Sequence, residues 1–153
     1  MKLSIIIPVY NELKTVEKIL RKTDAVKFKI EKEIIVVDDG STDGSGELLE
    51  QLYQQKSIKS FAKLFRLPTN LGKASALRIG IAISTGDIIV SQDADDELDS
   101  NDLPKLLEPL LTGETEVVFG SRFINGFPPN MQFPYIFINK FLSFLIRILY
   151  FRK

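Results

Sequence analysis

The stretch Glu33-Ile34-Ile35-Val36-Val37-Asp38-Asp39-Gly40-Ser41-Thr42-Asp43 decides the fold. Its first half is a short run of β-branched aliphatics with no polar face, the pattern of a strand covered on both sides in a parallel sheet. Its second half is a polar turn that ends the strand. Four further runs have the same character: Leu3–Val9, Lys59–Leu67, Asp87–Ser91 and Glu116–Phe119. Successive runs begin about 30 residues apart, the size of one strand-helix-strand unit. Helical periodicity fills the gaps. Val16, Ile19 and Leu20 give one apolar face; Leu48, Leu49 and Leu52 give a second. Ala74, Leu77, Ile81 and Ala82 give a third, and Leu103, Leu106, Leu107 and Leu110 a fourth. Asp43 is placed to cap the second helix, Gly86 to stop the third, and Ser100 with Pro104 to open the fourth. Alternating strands and helices predict an α/β domain, a Rossmann-like and mostly parallel sheet with helices on both faces. Residues 1–124 read as this domain, and 125–153 as a loop followed by a C-terminal helix.

Composition narrows the chemistry. The 153 residues contain no cysteine and no histidine. That excludes a disulfide framework, a zinc finger, a thiol nucleophile and a Ser-His-Asp triad. Any metal must be held by oxygen ligands, which favours magnesium or manganese. Twenty basic residues balance twenty acidic ones. The balance is uneven along the chain: no acid follows Glu116, whereas Arg122, Lys140, Arg147, Arg152 and Lys153 do. The body is therefore acidic and the tail basic, suited to an anionic or membrane-facing surface rather than to nucleic acid. The N-terminal apolar run is short and ends at Pro8, so no signal peptide is expected. No stretch reaches the roughly 20 apolar residues of a membrane-spanning helix.

In an open parallel sheet, ligands bind beyond the carboxyl ends of the strands, where the strand order reverses. Polar residues gather at those ends. The first strand runs into Pro8-Val9-Tyr10-Asn11-Glu12, the second into Asp38-Asp39-Gly40-Ser41, and the fourth into Gln92-Asp93-Ala94-Asp95-Asp96-Glu97. The segment 93–102 carries six carboxylates and no base. Such crowding is tolerated when solvated or bridged by a cation. Asp93 and Asp95 are thus candidate ligands of a divalent ion that completes its shell with substrate phosphates; helix capping by Asp99 and its neighbours is the alternative. Asp39 is placed to accept hydrogen bonds from a ribose or base. The first turn lacks the glycines of a dinucleotide fingerprint, and Gly72-Lys73 lacks the first glycine of a P-loop. Diphosphate charge would then be met by metal and by Lys or Arg. Arg122, after the fifth strand, can grip a phosphate or form a surface salt bridge.

Together these motifs resemble the inverting GT-A-fold glycosyltransferases of glycosyltransferase family 2, in particular the dolichol-phosphate mannose synthase-like branch. The carriers are Ser4 to Glu12, Glu33 to Gly44, Asn70-Leu71-Gly72-Lys73 with Ala76 and Gly80, Thr85-Gly86-Asp87, Asp93-Ala94-Asp95 and Gly120-Ser121-Arg122. The resemblance implies transfer of a sugar from a nucleotide diphospho-sugar, with inversion at the anomeric carbon. It implies that Pro8, Tyr10, Glu12, Val37 and Asp39 hold the nucleotide. Asp93, Ala94 and Asp95 then lie at the donor diphosphate, with Asp93, Asp95 and Glu97 on Mg2+ or Mn2+. Asp95 and Arg122 are the implied catalytic residues. Glu97 stands where the family often has Gln.

The tail points to the branch. Asn139-Lys140-Phe141-Leu142-Ser143 falls in the register of a basic pair that meets the acceptor phosphate, with Asn139 in place of the usual arginine and Lys140 in reach of its role. The implied acceptor is a polyprenyl phosphate, and the implied location is cytoplasmic, peripheral on the inner face of the membrane. A saccharide acceptor, or a nucleotide-sugar-binding module without turnover, are the alternatives. Family members normally continue for tens of residues beyond Lys153, so a truncated chain or a fragment is expected. Pro134–Lys153 sets Lys140, Ser143 and Arg147 in one stripe among phenylalanines and aliphatics, as in helices lying in a membrane interface; packing on a partner, including a second copy in a homodimer, is the other reading.

Overall fold

A computed structural model describes residues 1–95 and 98–120, together with Ile138, Phe141, Leu142, Phe144 and Leu145. Four strands, β1 (Lys2–Val9), β2 (Glu31–Asp38), β3 (Phe61–Arg66) and β4 (Ile88–Ser91), alternate with α1 (Val16–Ala25), α2 (Ser45–Gln54) and α3 (Lys73–Ile83). A 3-10 turn at Ser100–Asp102 leads into α4 (Leu103–Leu111). All three strand pairings are parallel, in the order β3-β2-β1-β4. The chain winds outward to β3, then crosses back to β4 on the far side of β1. The reversal point therefore lies between β1 and β4, which brings the acid-rich loops to one end of the sheet around it.

Strand alternation divides the core. Leu3, Ile5, Ile7 and Val9 of β1, with Ile34 and Val36 of β2, face α1, α2 and α4 through Val16, Ile19, Leu20, Leu49, Leu52, Leu103 and Leu107. Ile35 and Val37 face the opposite way, onto Ala76 of α3. Burying each such aliphatic contributes about 1.5–3 kcal/mol, which is why β-branched runs with no polar face end at the centre of the sheet.

Two expectations change. The inward face of α3 is Ala76, Ile79, Gly80 and Ile83, not Ala74, Leu77, Ile81 and Ala82. Close approach is the reason: a Cβ on Gly80 would stand 2.4 Å from Ile6 Cγ2, so the helix turns its small residues inward and leaves Ile81 half exposed. Glu116–Phe119 is not a strand either. It runs past the Ile88–Val90 edge without joining the ladder, and Phe119 is 90% exposed. An apolar run alone does not guarantee a pairing partner.

At the end of the sheet opposite the acidic loops, Glu33 is 4% exposed and fully engaged. It accepts from Lys2 Nζ (2.7 Å), Ser4 Oγ (2.7 Å) and the Thr85 backbone N–H (2.8 Å), joining β1, β2 and the α3–β4 turn. Burial would raise its pKa, but the bonds from Lys2, Ser4 and Thr85 outweigh that and hold it at about 2, against an ordinary 4.5. A lowered native pKa stabilises the fold above the unfolded value, and that stability is lost as pH falls from about 4.5 towards 2. Glu33→Gln is expected to cost roughly 2–3 kcal/mol at pH 7 and to flatten stability across that window. Urea unfolding at a series of pH values checks it; an unchanged acid slope would rule the network out as the cause.

Candidate functional site

The crevice follows from the ladder. β1 pairs with β4 only as far as Ile6–Ser91, whereas β1 and β2 stay paired through Val9–Asp38. Beyond Ile6 the sheet parts, and the loops after β1, β2 and β4 close around the gap. The cavity there measures about 230 Å3 and is lined by Pro8, Val9, Tyr10, Glu12, Asp39, Asn70, Gly72, Lys73, Asp93, Ala94 and Asp95. Seven of the residues proposed from sequence, Pro8, Tyr10, Glu12, Asp39, Asp93, Ala94 and Asp95, thus share one pocket. Val37 does not line it. Fully buried, it packs with Ile35 and Ala76 and supports the site from beneath. Glu97, Arg122 and Lys140 lie outside the described residues.

The loops are tied to each other before any ligand arrives. Asn11 adopts a left-handed backbone (φ 56°), which Asn tolerates better than most residues. Its Oδ1 accepts from Thr42 N–H at 2.8 Å, and its own N–H donates to Ser41 Oγ at 3.0 Å. Glu12 N–H donates to Ser45 Oγ, and Leu13 N–H to Asp43 Oδ2. Asp43 also accepts from Ser45 N–H, two positions along, but the cap of α2 is Gly44 and not Asp43 as expected, because the chain enters the helix one residue later. Burial works against the Asp43 anion; the Ser45 and Leu13 bonds win and hold its pKa below the usual carboxylate range. Asn11→Ala removes the acceptor for Thr42 and keeps the disfavoured φ. It is expected to lower stability by about 1–2 kcal/mol, read as a shift in urea midpoint at constant slope.

The adjacent acids Asp38 and Asp39 have different fates. Asp38 turns inward, accepting from Arg66 Nε at 3.1 Å and Ser41 N–H at 3.0 Å. Arg66 also pairs with Glu47 and Glu50 of α2, which locks β3 to that helix. Asp39 turns to the cavity, where its Oδ1 accepts from Leu71 N–H at 2.8 Å. This bond draws the loop after β3 into the site.

Across the gap, Gln92 and Ala94 are buried and anchor the acidic loop, Gln92 through Nε2 to the Asp93 and Leu98 carbonyls. Asp93 and Asp95 stay at the surface of the cavity. Asp93 already holds a cation: Lys73 Nζ lies 2.6 Å from its Oδ1. Among the described residues no three acidic side chains converge on one point. Two carboxylates open to a cleft nonetheless suit a hard divalent cation, whose other ligands come from phosphate and water. The sequence alone assigns Lys73 no role of its own; its signal is the place beside Gly72 at the start of α3.

The chain matches the family model described as Glycosyl transferase family 2 over residues 4–151. The chain belongs to glycosyl transferase family 2. It is 35% identical over 126 residues to the dolichol-phosphate mannosyltransferase of Pyrococcus furiosus, covering 82% of this chain and 34% of that one. It is 36% identical over 109 residues to the undecaprenyl-phosphate 4-deoxy-4-formamido-L-arabinose transferase of Klebsiella pneumoniae, covering 70% and 33%. Among solved structures, glucosyl-3-phosphoglycerate synthase of Mycobacterium tuberculosis, in complex with Mn2+, UDP and glucosyl-3-phosphoglycerate, superposes with TM-score 0.56 at 30% identity, covering 74% and 40%. The family 2 chain therefore has the GT-A fold expected from its motifs, and it spans about a third of the length of these curated relatives. No described helix is long and apolar enough to cross a membrane.

Proposed function

We propose that this family 2 chain transfers a sugar from a nucleotide diphospho-sugar to a polyprenyl phosphate, with inversion. The observation that carries the proposal is the meeting of Pro8–Glu12, Asp39 and Asp93–Asp95 in one crevice at the β1/β4 reversal, in a chain whose curated relatives are named for polyprenyl-phosphate acceptors. Asp39, braced by Leu71, accepts a hydrogen bond from the base, while Pro8, Tyr10 and Glu12 wall in the nucleoside. Asp93 and Asp95 would hold Mg2+ or Mn2+, with Glu97 two positions further along the sequence. When bound, the cation neutralises charge developing on the departing nucleoside diphosphate. A phosphate acceptor is already anionic near neutral pH, so it needs positioning more than a general base. Arg122 and Lys140 are assigned to phosphates on the donor and acceptor sides respectively.

A peripheral seat at the membrane surface belongs to the same proposal. Ile138, Phe141, Leu142 and Phe144 are helical and half exposed. Apolar exposure on a basic segment suits reversible binding at an interface, each base contributing about 1 kcal/mol near an anionic surface.

Incubating the chain with UDP- and GDP-sugars, manganese or magnesium and a short polyprenyl phosphate, then measuring product mass, tests the proposal. A sugar-phosphate-lipid product is expected. Nucleotide binding without transfer to any acceptor would replace it with the binding-module reading.

A further inference from the structure

The Lys73–Asp93 contact carries an inference that rests on the donor-site reading above. Lys73 opens α3 directly after Gly72, which sits at φ 89°, and both residues line the crevice. A lysine is poorly placed there for the helix itself, because the N-terminal end of a helix carries partial positive charge and favours acids. The first turn of α3 has no acid to offset it. The lysine is instead satisfied across the cavity by Asp93, one of the two carboxylates assigned to the cation. Asp93 cannot keep a 2.6 Å ammonium partner and also present the same oxygen to a divalent ion. The ammonium and a divalent ion bound through Oδ1 therefore compete for the same oxygen. Lys73 is 58% exposed on a flexible four-carbon stem, so the side chain is able to move. The displaced ammonium stays within the crevice that a diphosphate would enter, together with the metal.

We propose that Lys73 is a counter-ion relay: it holds Asp93 in the ligand-free chain, yields it to the divalent cation, and passes its ammonium to the donor diphosphate. The arrangement keeps the acidic loop neutralised and ordered without a ligand. It also couples metal and donor, because each makes the other's arrival less costly.

The relay predicts effects of opposite sign in one variant. Lys73→Met removes the competitor for Asp93 and the donor's ammonium partner at once. By calorimetry with Mn2+ alone, Lys73→Met is expected to bind the metal about three- to five-fold more tightly than the parent chain. With UDP or GDP at saturating Mn2+, it is expected to bind the nucleotide roughly ten-fold more weakly. Lys73→Arg keeps a cation at the same reach and is expected to restore nucleotide affinity to within about three-fold. Unchanged Mn2+ affinity in Lys73→Met would overturn the competition, and unchanged nucleotide affinity would overturn the transfer to phosphate. Failure of the parent chain to bind either nucleotide with metal would sink the donor-site reading instead. Normal binding by the parent with no effect of Lys73→Met sinks the relay alone.

Discussion

Gly40→Ala is expected to destabilise the domain by about 1–4 kcal/mol, net of the stiffer unfolded chain. Gly40 sits in the left-handed region at φ 70°. A side chain there costs about 1–2 kcal/mol in local strain. The larger difficulty is space. An added Cβ would lie 2.5 Å from Thr69 C and 2.7 Å from Asn70 N, both backbone atoms that cannot rotate aside. Overpacking of this kind adds about 1–3 kcal/mol. Gly113 provides the control. It has nearly the same backbone angle, φ 73°, but nothing within 4 Å of the added Cβ. Gly113→Ala keeps the strain and loses the clash, and the stiffer unfolded chain offsets part of the strain by about 0.4–1 kcal/mol. Its net cost is expected near 1 kcal/mol. Urea unfolding of both variants gives the comparison, and equal midpoints would show that the approach of the two loops is not what confines position 40 to glycine. The loops in question carry Asp39 and Leu71, so Gly40→Ala is also expected to disturb their 2.8 Å bond.

Periodicity and turn chemistry reveal most of this fold before any coordinates. Runs such as Ile5 to Val9 and Ile34 to Val37 have no polar face, and only a doubly covered sheet accommodates that. The places where sequence reading fails share a cause: the deciding partner is distant in the chain. Gly80 faces inward because Ile6 stands close behind it, and Ala76 because Ile35 and Val37 do, which no pattern within α3 discloses. Glu116–Phe119 has strand composition, but composition does not place a neighbour beside it. The site behaves the same way. The Asp-Asp pair was legible, but the division of labour was not. Asp38 is claimed by Arg66, 28 residues away, leaving Asp39 for the cavity. Val37, which the resemblance places at the nucleotide, has its side chain beneath α3 with Ile35 and Ala76, because the two-residue alternation of a strand turns it that way. Nothing near Lys73 in the chain discloses its partner, Asp93, which lies a further strand away.

Asp39→Asn and Asp95→Ala are expected to weaken nucleoside diphosphate binding by different routes, and the difference separates the two acidic loops. β2 and β4 flank β1, so the two strands run about 10 Å apart. That distance is spanned by a nucleotide with its base at one loop and its phosphates at the other. In Asp39→Asn the amide oxygen still accepts from Leu71 N–H, so the loop should hold. Its nitrogen replaces the second oxygen and meets a base N–H donor to donor. Losing a charged acceptor costs about 1.5–3 kcal/mol, roughly 10- to 100-fold in affinity. The loss should be the same with and without Mn2+, because the metal is not involved. Asp95→Ala should leave metal-free affinity nearly unchanged and remove most of the gain that Mn2+ brings. Even outer partners of metal ligands are worth about 10- to 100-fold in metal affinity, and a direct ligand is worth at least that. Calorimetry of UDP and GDP against each variant, with and without Mn2+, fills the four corners of the cycle. If Asp39→Asn abolishes the metal gain while Asp95→Ala preserves it, the nucleoside and the cation have been assigned to the wrong sides of β1.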